Sequence, residues 1–201
     1  MRDLIPLFSW FAQKGQCRYC GRPLGWFYPG IELAALAVAV NALLVDGEGA
    51  WLDCILGWWL LTLGWIDLRC WLLPDILTLP LLLVGLAAAA AFDPEQLTQR
   101  ALGAALGYSS LLAVAAVYRK LRGREGLGRG DAKLLAASGA WVGAAALPQL
   151  ILIGAVSALV AAACVRFAGV RLSAHSALPF GPFLALATWV LWLSNSIRPI
   201  G

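Results

Sequence analysis

The sequence predicts an all-α polytopic membrane protein of about six to seven transmembrane helices with a short cytoplasmic N-terminal segment. Three observations carry that expectation. Of 201 residues, 61% are hydrophobic and 13% are charged, about half the charged share of a soluble domain. The apolar residues fall in long uncharged runs, and the basic residues collect in alternate loops between them. Five cysteines are too few, and odd in number, for a disulfide scaffold.

The spans follow in order, because a helix needs about 20 mostly apolar residues to cross roughly 30 Å of hydrocarbon. Ile31–Val45, Trp51–Ile66, Ile76–Phe92 and Ala101–Tyr118 are the first four candidates. An uncharged run of 32 residues, Leu134–Val165, is too long for one span, and Pro148 near its middle divides it in two. The last span lies within Leu178–Ser194. Richness in Ala and Gly suits close helix packing better than contact with lipid. The first thirty residues are too polar to span and lack the apolar core of a signal peptide.

Alternating the segments places 13 of the 15 basic residues on one side: Arg2, Lys14, Arg18 and Arg22, then Arg69, then the stretch Arg119–Lys133, then Arg166 and Arg171. Only Arg100 and Arg198 fall on the other. Basic loops stay in the cytoplasm, so the N-terminus is expected inside and the C-terminus outside. The tryptophans fall largely near span ends, as an interfacial belt requires; Trp51, Trp65, Trp71 and Trp189 are examples.

On this map most acidic residues are ordinary. Asp46, Glu48, Asp93 and Glu95 belong to short outer loops, and Asp53 is read as an outer interfacial residue. Asp67, Asp75 and Asp131 instead stand at the cytoplasmic boundary of apolar segments, and Glu32 opens the first span from that side. Ionisable groups at such depth are costly to desolvate and carry a functional hypothesis. Asp67 ends an apolar stretch, and Asp131 sits in Gly128-Arg-Gly-Asp-Ala-Lys. Two carboxylates converging on one water would share a proton, one acting as acid and one as base. The spacing alone leaves open that Asp67 is an interfacial stop and Asp75, after Pro74, a helix N-cap. Lys133 can bias a carboxylate or snorkel. His175 is the only histidine and reads as a loop residue; with no HExxH, a metalloprotease is not expected.

Three strings are together distinctive: Trp65–Leu86 (WIDLRCWLLPDILTLPLLLVGL), Gly128–Gly143 (GRGDAKLLAASGAWVG) and Leu178–Ala185 (LPFGPFLA). They resemble the type IV prepilin peptidases of pilus and type II secretion systems, which are GxGD aspartic proteases of the inner membrane. Ile5–Leu33 resembles the cytoplasmic domain of that family. The resemblance implies a partial cytoplasmic domain over 1–30 and a transmembrane peptidase core over 31–201. It implies that Asp67 and Asp131 are the catalytic pair, facing the cytoplasm, with Asp75, Gly128, Gly130 and Lys133 in support. It implies a prepilin or pseudopilin substrate with a short basic leader, cut without a metal or other cofactor. Gly181 and Pro182 interrupt the last span, and Pro179, Gly181 and Pro182 are expected to border the active-site cavity, since irregular backbone at membrane depth must be packed in protein or line a wet cavity.

Cys17 and Cys20 with Gly21 form a knuckle-like turn whose thiolates suit two of the four positions on Zn²⁺. The family commonly uses two such pairs; one is present here, so the chain is expected to be short at its N-terminus and the zinc site incomplete. Methylation with S-adenosylmethionine is associated with that domain and is correspondingly uncertain, with Glu32 the matched residue of interest. Membrane lipid is an expected partner and nucleic acid is not. The competing readings are an inactive membrane component of a pilus or secretion apparatus and a small proton-coupled transporter using its paired carboxylates as a relay.

Overall fold

The computed structural model describes residues 8–45, 47, 49–123, 128–168 and 179–196. Asp46, Glu48, Arg171, His175, Leu178 and Arg198 lie outside the described residues. The described chain is helical, with one isolated bridge between Gln16 and Pro23. Compactness divides it within a helix, between Trp58 and Trp59.

In the first unit, α1 (Phe8–Ala12) leads into the cysteine turn. Gly15 and Gly21 take positive φ there, and the Gly21 amide donates to the Cys17 carbonyl over 2.8 Å. The Cys17 amide donates to Arg22 and the Leu24 amide to Gly15, closing a small knuckle. Helix α2 (Phe27–Val45) follows, with Pro29 in its first turn where its missing N–H costs nothing. The Asn41 amide in this apolar helix donates to the Ala37 carbonyl, so its polarity is satisfied locally.

Helix α3 (Ala50–Cys70) runs across the division between the units. Asp53, expected at the interface, is buried in its first turn, where free N–H groups and the positive end of the helix dipole favour a carboxylate. The second unit then comprises the end of α3 with α4 (Asp75–Phe92), α5 (Leu97–Arg122), α6 (Arg129–Val142), α7 (Leu147–Phe167) and α8 (Gly181–Ser196). Each apolar segment read from the sequence is thus one helix. Among the described residues, five helices are long and apolar enough to cross a membrane. Helices α6 and α8, with 14 and 16 residues, reach only about 21 and 24 Å at 1.5 Å per residue.

The long apolar run divides at Gly143, not at Pro148. Gly143 has φ +83°, which ends α6, and a 3₁₀ turn of Ala144–Ala146 leads into α7. Pro148 falls in the first turn of α7, where proline is tolerated. Pro182 likewise starts α8 and does not interrupt it.

Helix α6 is the buried post of the second unit: Leu134 to Trp141 are all buried. Its neighbours approach through small residues. A Cβ on Gly103 of α5 would overlap the Gly139 carbonyl, and one on Gly139 would overlap that of Gly103. On α4, a Cβ on Gly85 would lie 2.7 Å from the Trp141 ring. Indole N–H groups from Trp59 and Trp141 donate to the Leu77 and Leu81 carbonyls of α4, on either side of Pro80. Between α6 and α8, the buried hydroxyls of Ser138 and Thr188 are 2.7 Å apart, and Thr188 Oγ1 also meets the Leu184 carbonyl. At the other end of α6, Trp141 packs edge-on to Trp192, over which the Arg100 guanidinium lies while pairing with Asp93.

A helix-interior glycine changed to alanine ordinarily gains up to about 1 kcal/mol. Gly139→Ala should instead lower the melting temperature in detergent, because overpacking of this kind costs about 1–3 kcal/mol. A melting temperature equal to or above that of wild type would contradict the backbone contact.

Candidate active site

Three helix ends meet at the second unit's site: the last turn of α3 and the first turns of α6 and α8. Asp67 lies in the last turn of α3 and is only 6% exposed. Its Oδ2 accepts the Gly181 N–H over 3.0 Å. The orphan amides at a helix start suit a carboxylate, and residue 181 must lack a side chain, since a Cβ there would lie 2.6 Å from Asp67 Oδ2. Pro182 supports the same approach: a Cβ on Gly64, one turn before Asp67, would be 3.4 Å from Pro182 Cα. Pro179 is buried just ahead of α8.

Asp131 enters through the local chemistry of its motif. Gly128 is the N-cap of α6 and Asp131 the third helical residue. Its amide donates to the Gly128 carbonyl over 3.2 Å, and its carboxylate accepts the Gly128 N–H. That reciprocal arrangement is half of a capping box. Gly130 allows the helix start to approach the α3–α4 corner, since a Cβ there would be 3.0 Å from Leu73 Cβ. Asp131 precedes the apolar part of α6 and lies outside the five helices long and apolar enough to cross a membrane. Burial, then the nearby charge of Asp67, pushes its carboxyl up to about 6, against the smaller opposing effect of the Gly128 N–H. The two carboxylates therefore feel each other, which is the condition for sharing one proton.

Asp75 and Lys133 are placed together, and the capping role left open for Asp75 is not the one it takes. The N-cap of α4 is Pro74, with Asp75 the first helical residue and no side-chain capping bond. The Asp75 carboxylate instead pairs with Lys133 Nζ at 2.5 Å. Between Asp67 and Asp75 the corner is tight: the Trp71 amide donates to the Asp67 carbonyl, and Trp71 takes φ +56°, a left-handed conformation that costs a bulky residue about 1–2 kcal/mol. The sequence did not reveal the Asp75–Lys133 partnership or the Leu73–Gly130 contact, because 58 and 57 residues separate the partners.

In the first unit, Glu32 is half-buried on α2. Cys17 and Cys20 flank the knuckle turn, and backbone N–H groups of Cys20 and Tyr19 lower the Cys17 thiol below its ordinary value, which favours a metal-binding thiolate. Two thiols fill half of a tetrahedral site, and no cluster of three or more ligands occurs among the described residues.

Comparison with known proteins meets this geometry. The type IV leader peptidase family model matches residues 54–163, more than half of the chain, and the bacterial peptidase A24 N-terminal domain matches residues 1–45. The chain belongs to the type IV leader peptidase family. Proteins named prepilin leader peptidase/N-methyltransferase are among its relatives. That of Burkholderia pseudomallei (strain 1026b) is 44% identical over 183 residues, covering 90% of this chain and 59% of the relative. That of Aeromonas hydrophila is 43% identical, covering 96% and 68%, and that of Xanthomonas campestris pv. campestris 41% identical, covering 94% and 66%. The chain thus spans about three fifths to two thirds of the length of these relatives. No solved structure matches it.

The raised Asp131 pKa has a measurable consequence. Between its unfolded value near 4 and its folded value of about 6, this acid binds more protons folded than unfolded, so its contribution to stability falls as pH rises through that window. Thermal unfolding of wild type and Asp131→Asn in detergent between pH 4 and 6.5 should differ in slope, with the wild type losing relative stability toward pH 6.5. Parallel curves would show that the carboxyl is not held above its ordinary value.

Proposed function

We propose that this family member is an aspartic endopeptidase that removes the basic leader from type IV prepilins or type II secretion pseudopilins. The observation that carries the proposal is the convergence of Asp67 and Asp131, from helix ends 64 residues apart in sequence, at one partly buried position where each carboxylate is held by a backbone N–H. The names of the relatives supply the substrate class.

In the reaction we propose, Asp131 begins protonated and Asp67 ionised, its charge supported by the Gly181 N–H. Asp67 takes a proton from a water molecule, whose oxygen attacks the scissile carbonyl carbon. Asp131 gives its proton to the carbonyl oxygen, forming a neutral tetrahedral diol. Asp67 then returns its proton to the amide nitrogen as the C–N bond breaks, and Asp131 recovers a proton from a diol hydroxyl. The cycle leaves both carboxyls as they started and forms no acyl-enzyme.

The distribution of basic residues supports a bacterial inner membrane setting with the site toward the cytoplasm, where a basic leader retained by the positive-inside rule would lie. The half zinc site of Cys17 and Cys20 lies in the first unit, where methylation with S-adenosylmethionine would also belong, and the proposed peptidase chemistry needs neither.

A purified prepilin incubated with the protein in detergent tests the proposal. Wild type should release the leader. Asp67→Asn and Asp131→Asn should each lower the rate by at least about 10³-fold, toward the upper range for general acid–base groups. Gly181→Ala should lose most of the rate as well, because its methyl group occupies the place of the Asp67 carboxylate. An intact leader with wild type, or normal cutting by both Asn variants, would refute the peptidase. Mass spectrometry of the new N-terminus reads methylation in the same assay.

A further inference from the structure

From the contacts around Asp131 we infer that Asp75 and Lys133 form a positioning clamp, which sets where the Asp131 carboxylate stands relative to Asp67. The inference rests on the peptidase reading for its kinetic consequences and on the structure alone for the clamp.

The α3–α4 corner is a short strap with Asp67 at one end and Asp75 at the other. Its near end is closed by the Trp71 amide on the Asp67 carbonyl and by the left-handed turn at Trp71. Its far end grips α6 at two places that bracket Asp131 in sequence. Leu73, 7% exposed, lies against Gly130, and Asp75 pairs with Lys133 at 2.5 Å. The same strap therefore carries one carboxylate and holds the helix turn that carries the other.

Two simpler roles fit less well. A direct effect of Lys133 on Asp131 is disfavoured, because residues two apart on a helix do not face each other and the ammonium is engaged by Asp75. A role in holding the fold together is disfavoured by exposure. The side chains are 29% and 57% exposed, and exposed pairs contribute at most about 1 kcal/mol. An effect of that size is nevertheless about fivefold in a rate when it is felt in the alignment of reacting groups.

The test is a double-mutant cycle on prepilin cleavage. Asp75→Asn and Lys133→Gln should each lower kcat about fivefold, with KM within twofold of wild type and the melting temperature little changed. The double variant should lose no more than either single one, since either change opens the same clamp. Asp75→Glu and Lys133→Arg should retain most of the rate. Losses that multiply, a loss confined to KM, or single variants as fast as wild type would overturn the clamp; a KM effect would mark Asp75 as a substrate contact.

A second measurement does not depend on cleavage. With Leu73→Cys and Gly130→Cys together, oxidation should form a 73–130 disulfide, identified by mass spectrometry. It should form more slowly when Asp75→Asn is added, and once formed it should restore kcat to that variant. Equal rates of cross-linking with and without Asp75→Asn would overturn the clamp. Faster cross-linking with Asp75 intact, together with wild-type protein that leaves prepilin uncut, would support the clamp and reject the peptidase.

Discussion

Helix α6 has no face toward lipid along Leu134–Trp141, and the arrangement of the second unit depends on that enclosure. A helix surrounded by other helices must leave them room, and in a membrane the gain comes from close packing and not from driving water off apolar surface. Ala136, Ala137, Gly139 and Ala140 leave that room. The mutual approach of Gly103 and Gly139 brings α5 to backbone contact, and Gly85 lets α4 close on the Trp141 ring. Trp141 supplies the bulk that the small residues lack, and its indole N–H finds the Leu81 carbonyl.

The same enclosure explains how two carboxylates are tolerated at the entrance to an apolar bundle. A buried acid is stable only when its polarity is met or its proton retained. Asp67 meets an amide at the start of α8, and Asp131 meets one at its own N-cap. Helix starts, with their orphan N–H groups, are thus arranged to receive acids at the place where two acids approach each other. The hydroxyl pair Ser138–Thr188 lies two helical turns beyond, seven residues from Asp131 and seven from Gly181, and ties α6 to α8 at that deeper level. Register between the helices is therefore specified at both levels.

Much of this was legible in the order of residues. Apolar runs gave each long helix to within a few residues of its ends, because the bilayer imposes length and composition on each segment separately. Positions whose environment is set by distant neighbours were less legible. Pro148 looked like the break in a long run, yet a first-turn proline costs a helix nothing and Gly143 with its positive φ makes the break. A cap was one reading left open for Asp75, which is half of an ion pair. Asp53 was read for its place at a span end, and its burial against protein could not be read from its neighbours. Trp141, which no local pattern singled out, is a core residue.

The sequence by itself determined that the chain is a helical membrane protein, and its motifs named the two aspartates, because hydrophobic length and a local GxGD turn are properties of contiguous residues. Only the tertiary structure decided that Gly181 must be a glycine for the sake of Asp67, that Lys133 belongs to Asp75, and that a 14-residue helix too short to span stands at the centre of its unit. Those facts arise where helix ends distant in sequence meet. There, a single Cβ or a single N–H settles what the neighbouring residue can be.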